Sequence, residues 1–375
     1  MIKRIYQNLD EYVKPNKVLI IYGPRRVGKT TLLNIFLESS SLKYKLVSGD
    51  DISLHEVFGS QSIETITKYV QGYELLVIDE AQTIPSIGIG LKILVDNVPN
   101  IKIIATGSAS FDLSNKVGEP LTGRSYILQL YPIAQLELEN KLNQFELRQK
   151  LEDYLVYGSY PEVLNTKMYE VKKQYLTELV NSYLLKDILA LEQVKGSKIL
   201  LDLLRLIAFQ VGSEVSLSEV AANLGIDAKT VARYLDLLEK GFVLMNVRGF
   251  SRNLRKEINK KSKYYFYDNG IRNAIISNFN SLTLRDDIGK LWENFLVAER
   301  IKKQKYRGIY ANNYFWRTWD QKEIDWVEER EGKLFAYEFK YHKKAKFKKP
   351  KEFFENYPTS EFEIISTENY LNFIT

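Results

Sequence analysis

Short, continuous apolar runs punctuate the first third of the chain at positions 18–22, 44–48, 75–79, 102–106 and 126–130. Between them, apolar residues return every three or four positions. Runs with no polar alternation suit strands buried on both faces, and the intervening period suits helices. The pattern therefore predicts an α/β fold, a doubly wound parallel sheet that takes its ligand at the carboxyl ends of the strands. From about 135 to 195 the chain turns helical, in "LRQKLEDYLVYGSYPEVL" and "KKQYLTELVNSYLLKDILALEQ", interrupted by Gly158 and Pro161. A helix through Val220 to Leu224 then stops at Gly225, and Asp227 can cap a second helix running to Lys240. That is helix-turn-helix spacing, and the "GFVLMNVRGFSRNLRKEINKKSKYYFYD" that follows suits a winged hairpin. An amphipathic helix, "LWENFLVAERIKKQ", an aromatic strand, "YFWRTWD", and a hairpin, "EIDWVEEREGKLFAYEFK", close the pattern. Four segments are expected: 1–134, 135–195, 196–275 and 276–375.

The first strand feeds Gly23, Pro24, Arg25, Arg26, Val27, Gly28, Lys29, Thr30 and Thr31, a full G-x-x-x-x-G-K-[ST] followed by a helix. Successive backbone N–H groups there curl around phosphate, and the helix N-terminus adds positive potential. Lys29 reaches the β- and γ-phosphates of ATP, and Thr30 offers its hydroxyl to Mg²⁺. The third strand ends in Asp79-Glu80. In this context Asp79 holds Mg²⁺ largely through water, and Glu80 orients or deprotonates an attacking water. Arg124 stands on a loop before the last strand. Two readings are open for it: stabilising phosphoryl charge, in its own subunit or a neighbour's, or a surface ion pair. ATP and ADP are the expected ligands.

The final hairpin carries an awkward charge pattern. With Glu331-Gly332 as a two-residue turn, Arg330 faces Lys333, Asp325 faces Glu338, and Glu323 faces Lys340. Like charges directly opposite destabilise a sheet. Glu338 and Lys340 share a face with Asp325, and Glu293 can approach from the helix before. Two readings stand: a site for a second divalent ion, with the lysine steadying a phosphate or water, or a solvated face with a Glu323–Lys340 ion pair. A one-residue slip would move Asp325 to the other face.

Composition narrows the classes. The 375 residues are 45% hydrophobic and 27% charged, ordinary for a globular protein. There is no cysteine, which excludes disulfides and thiolate metal sites and fits a cytoplasmic location. No apolar run nears the roughly 18 residues of a membrane span, and the first residues have no signal-peptide core. The net charge of +6 permits nucleic-acid binding without requiring it. If the helix-turn-helix reads DNA, Lys229, Thr230 and Arg233 face the major groove. Seven lysines between 340 and 351 form either a phosphate-gripping run or a solvated edge.

"GPRRVGKTTLL", "VIDEAQ", "ATGSAS", "LTGR" before "LYPIAQLELE", and "YGSYPEV" together resemble prokaryotic AAA-type ATPases whose C-terminal half is a domain of unknown function. The resemblance covers nearly the whole chain. It implies a P-loop core over 1–134, a helical lid over 135–195, a winged helix over 196–275 and a PD-(D/E)XK nuclease-like fold over 276–375. It implies that Ser108, with Thr106 as second choice, contacts water or γ-phosphate between the two nucleotide motifs. Glu293, Asp325, Glu338 and Lys340 match the nuclease-like positions, with Ile where a proline commonly precedes the aspartate. The expected function is a Mg²⁺-dependent ATPase coupled to a DNA-binding or nuclease-like domain. The alternative is a nucleotide-gated switch or scaffold whose nuclease-like domain is inactive. Homo-oligomerisation is compatible with either.

Overall fold

The computed structural model describes residues 2–108, 121–184, 197–251, 262–318, 322–342 and 349–375. The chain divides into two compact units. One comprises Lys3–Tyr131 with Lys240–Phe242. The other comprises Met1–Ile2, Pro132–Glu239 and Val243–Thr375.

The front unit is built on β1 (Lys17–Tyr22), β2 (Tyr44–Ser48), β3 (Leu75–Asp79), β4 (Lys102–Gly107) and β5 (Ser125–Gln129). They pair in the order β2-β3-β4-β1-β5, all parallel. The expected parallel sheet is met, with strand ends shifted by at most one residue. Val18 to Ile21 are all buried because both sheet faces are covered. Helices α1 (Lys29–Ser39), α2 (Ile52–Gly59), α3 (Ile63–Tyr69) and α4 (Ile87–Asn97) flank it. Asp51 caps α2 by accepting the Ser53 N–H, and Ser62 caps α3 through Thr65. Leu54, Phe58, Leu91 and Leu94 from these helices pack on Val18, Ile20, Ile78 and Ile103. Each such fully buried side chain contributes about 1.5–3 kcal/mol relative to exposure. Because β4 lies between β1 and β3, its carboxyl end falls between the loop after β1 and the acidic pair closing β3.

In the other unit, helices at Gln135–Leu138, Gln144–Gln149, Leu151–Tyr157, Pro161–Asn165 and Tyr169–Glu178 come first. The "YGSYPEV" turn is anchored within this unit: buried Asp268 accepts the Ser159 N–H at 2.7 Å and caps the following helix through the Ile271 N–H. Residues 135–184 thus cluster with the back half of the chain. Next come α5 (Ser197–Phe209), β6 (Glu214–Val215), α6 (Leu217–Leu224), α7 (Ala228–Lys240), β7 (Leu244–Gly249) and β8 (Ser262–Phe266). After α8 (Asn269–Ile275) and α9 (Ile288–Arg307) follow β9 (Asn312–Arg317), β10 (Glu323–Arg330), β11 (Lys333–Phe339) and β12 (Glu361–Ile365). A single mixed sheet, β12-β11-β10-β9-β7-β8-β6, joins all of these strands. The parallel pairing of β7 with β9 makes it continuous across the boundary expected near 275.

The β10–β11 hairpin has the expected register from Trp326 to Arg330. Arg330 faces Lys333 and Trp326 faces Tyr337, with Glu331 and Gly332 both at positive φ (53° and 73°). That is a type I′ turn, which matches strand twist. Against β9 the register shifts by one between Ile324 and Val327. The resulting bulge falls at Asp325-Trp326, a device that re-aims side chains. The tip of the 244–266 hairpin and lysines 343–348 fall outside the described residues.

Candidate functional site

The loop after β1 approaches the neighbouring chain closely. A Cβ at Gly23 would lie 1.9 Å from the Leu130 carbonyl oxygen, so only glycine fits. Lys29 opens α1 and is buried, its ammonium donating to the Gly23 and Pro24 carbonyls at 2.9 and 3.0 Å. Val27 is fully buried, while Arg26, Thr30 and Thr31 face solvent. Arg4 braces the loop, donating to the Val27 carbonyl and to that of Tyr131 at 2.7 Å. Nothing in the sequence pointed to Arg4, which acts from more than twenty residues upstream.

Asp79 receives two hydroxyls. Thr30 donates to its Oδ2 at 2.9 Å, and Thr106 donates to its Oδ1. The Thr106 oxygen in turn accepts the Glu80 N–H at 3.0 Å. Glu80 is held at φ 54°, a conformation that costs a non-glycine residue about 1 kcal/mol or more and recurs at functional sites. Gln82 donates to the Glu80 carboxylate and, at 3.1 Å, to the Ser108 hydroxyl. Thr106 therefore touches the acidic pair directly, whereas Ser108 meets Glu80 through Gln82.

Of the readings open for Arg124, the surface ion pair is the one present. Its carbonyl accepts the Val18 N–H, and Ser125 pairs with Val18 at the amino end of β1. Four strand positions, at about 3.3 Å each, separate that edge from the loop after Tyr22. Arg124 therefore cannot serve its own loop; its guanidinium pairs with Asp96 at 2.7 Å on the surface. The strand pattern revealed that a strand followed Arg124, but only the parallel pairing shows which sheet edge the residue occupies.

The second constellation lies in the mixed sheet. Asp325, in the bulge, accepts the Phe339 N–H at 2.8 Å. Lys340 donates to Glu338 Oε1 at 2.5 Å, and the buried Glu338 Oε2 has no hydrogen-bond partner among the described residues. Into this group comes a residue the hairpin pattern could not supply: Lys263 of β8, with only 2% of its side chain exposed. Its ammonium bonds Glu323 Oε1 and lies 3.5 Å from Glu293 Oε1, which also accepts the Tyr265 hydroxyl at 2.6 Å. Arg317 approaches Glu323 at 3.6 Å. Lys263 thus answers Glu293 and Glu323, whereas of the opposed pair Asp325 accepts a backbone N–H and Glu338 is bonded by Lys340.

Electrostatics follow from this crowding. Burial, then the charges of Glu293 and Glu338, push Asp325 well above the usual carboxylate range against Lys263. Burial also raises Glu338, although the Lys340 hydrogen bond opposes it. Burial would lower Lys263, but Glu293, Glu323 and Asp325 together hold it above its ordinary value. All four expected residues, Glu293, Asp325, Glu338 and Lys340, enter this one electrostatic cluster. Glu299, on the same helix as Glu293, does not: it is buried among Lys302 and the Gln135 N–H at 2.7 and 2.6 Å. Among the described residues, no three His, Cys, Asp or Glu side chains converge as metal ligands.

On the helix pair, α6 ends at Gly225 and Asp227 accepts the Thr230 N–H and hydroxyl at 2.9 and 2.6 Å. Thr230 is thereby engaged in capping α7, while Lys229 and Arg233 are exposed.

Residues 15–139 match the family model of the AAA domain. The front of the chain carries an AAA-type P-loop domain. Residues 148–282 and 288–371 match two families described only as domains of unknown function, DUF8612 and DUF4143. Similar curated proteins are all uncharacterized. One from Mycobacterium tuberculosis is 25% identical over 86% of this chain and 70% of its own length. Another, from Haemophilus influenzae, is 25% identical over 88% and 83%. A third, from Methanocaldococcus jannaschii, is 24% identical over 87% and 75%. The AAA domain supports nucleotide binding. Among the described residues no helix is long and apolar enough to cross a membrane.

Proposed function

We propose that the protein binds ATP with Mg²⁺ at the β1–α1 loop, hydrolyses it, and couples nucleotide state to a DNA-directed back half. The observation that carries this reading is the chain of contacts Thr30–Asp79–Thr106–Glu80 beside the Lys29 loop. Hard oxygen donors from Thr30 and Asp79 fit Mg²⁺, which commonly takes only one or two protein carboxylates alongside substrate phosphates. Mg²⁺ would supply charge neutralisation of the phosphates. The loop N–H groups and Lys29 would bind and orient the triphosphate. Glu80, fixed through its backbone by Thr106, would position a water and hold its proton. Arg124, at the far sheet edge, would reach a nucleotide only in another subunit of a homo-oligomer. The test is steady-state ATP turnover. Lys29→Ala and Glu80→Gln should each lower it by about 100-fold or more, and turnover equal to wild type in both would overturn the reading.

For the back half, the order α5, β6, α6, α7, β7, β8 is that of a winged helix, with Lys229 and Arg233 exposed on α7. Clustering of Glu293, Asp325, Glu338 and Lys340 supports the nuclease-like reading. The fit of a second divalent ion is partial: the orphaned Glu338 Oε2 favours one, whereas Lys263 already answers Glu293 and Glu323. This favours the alternative of a DNA-gripping, non-cutting domain. Incubation with Mn²⁺ and plasmid DNA separates the two, since nicking abolished by Asp325→Asn would establish cleavage.

A further inference from the structure

We propose that Lys263 is the resident cation of the acidic centre: its ammonium takes the place of a divalent ion at Glu293 and Glu323, and so sets which cations the centre accepts.

Four carboxylates, Glu293, Glu323, Asp325 and Glu338, arrive from α9, β10 and β11. Removing that much negative charge from water is tolerable only if it is matched inside. Lys263 matches one half of the group. It bonds Glu323, lies 3.5 Å from Glu293, and rests 5.1 Å from the centre of the Phe315 ring. Glu293 is further committed to that side. Its Oε1 accepts Tyr265, and Gly212 packs so closely that an added Cβ would lie 3.0 Å from the same oxygen. Reorienting Glu293 towards a metal would break both polar contacts. The other half is matched less fully: Lys340 bonds Glu338 Oε1, and the buried Oε2 has no partner among the described residues. The two carboxylates that Lys263 does not bond are Asp325 and Glu338, and two carboxylates make a poor chelate for a hard ion that prefers six or more oxygens.

The inference concerns the centre's own charge and stands whether or not the back half cuts DNA. It is tested on the full chain without nucleotide, with Mn²⁺ alone as probe, its binding read by electron paramagnetic resonance. Substituting Lys263→Met keeps the aliphatic stem and removes the charge. Mn²⁺ affinity should rise at least tenfold, and Mn²⁺ should raise the melting temperature of this variant more than that of wild type. The gain should disappear in the double variant Lys263→Met/Glu293→Gln, and Lys263→Arg should bind as wild type does. Equal Mn²⁺ affinity in wild type and Lys263→Met, or a gain that survives Glu293→Gln, would overturn the proposal. Should Lys263→Met fail to fold, Glu293→Gln in the wild-type background decides. With Glu293 committed to Lys263, Mn²⁺ affinity stays unchanged, whereas a fall of tenfold or more makes Glu293 a metal ligand and refutes the assignment.

Discussion

The nucleotide loop and the acidic centre each place carboxylates near a buried lysine, but they use the ammonium differently. In the loop, Lys29 donates to the neutral carbonyls of Gly23 and Pro24, and the nearby Asp79 is answered by the hydroxyls of Thr30 and Thr106. In the centre, Lys263 is bound to the protein's own carboxylates. A lysine that donates to carbonyls gives up neutral acceptors when it turns to a polyanion. One locked between carboxylates cannot leave without stranding buried charge. The first arrangement suits an exchanging ligand, and the second suits a permanent structural cation.

The sharpest way to break this contrast is at the loop's tightest point. Gly23→Ala would drive a methyl group into the Leu130 carbonyl, so it should destabilise the front unit by about 3 kcal/mol and abolish nucleotide binding. Retained binding by calorimetry would mean that the loop is more plastic than its packing implies.

A slightly smaller effect is expected at the start of α9. Asp287, just before α9, ties Arg272 and Arg285 at 2.6 and 2.7 Å. Burial alone would raise its pKa, but the Arg285 hydrogen bonds and the Arg272 charge bring it down from 3.8 to about 2. A folded-state value below the unfolded one stabilises the protein above about pH 4, and the contribution fades as pH falls through about 2. Asp287→Asn should therefore cost about 2 kcal/mol near neutral pH. The difference in melting temperature from wild type should shrink as pH falls from 4 towards 2, and a constant difference would show that charge is not the cause.

Thr106→Val tests whether the front carboxylates depend on their hydroxyl support. It leaves the Glu80 N–H without its acceptor and Asp79 short of a donor, at a cost of about 1–2 kcal/mol, or about tenfold in ATP turnover. An unchanged rate would make Thr106 a bystander. The smallest effect belongs to Arg124→Ala: at dilute concentration turnover should stay within about twofold of wild type, because an exposed ion pair contributes about 0–1 kcal/mol. A large loss would place its guanidinium at a nucleotide after all.

Legibility differed between the regions for the same reason. The loop, its lysine and the Asp79-Glu80 pair are each contiguous in sequence, and hydrogen bonding within the sheet leaves a buried parallel strand few other places to go. The strand end marks Ser108 and Thr106 together, but which of them meets Asp79 depends on side-chain direction, and it is Thr106. The hairpin register was readable because a Glu-Gly turn flanked by alternating side chains admits few pairings. Lys263 was not, since a lone lysine in "SKYYFYD" looks like the wet face of a strand. Its role exists only because β8 joins the sheet that carries Asp325.

The chain's local pattern by itself determined the parallel front sheet, the phosphate loop and the antiparallel hairpin, since short-range periodicity and turn chemistry set them. Tertiary structure alone decided three things: that Arg124 stands at the wrong edge to serve its own loop, that Arg4 braces that loop, and that an ammonium from a distant strand balances the carboxylates. Charge compensation acts through space over a few ångströms, and only the folded sheet brings residues sixty positions apart within that distance.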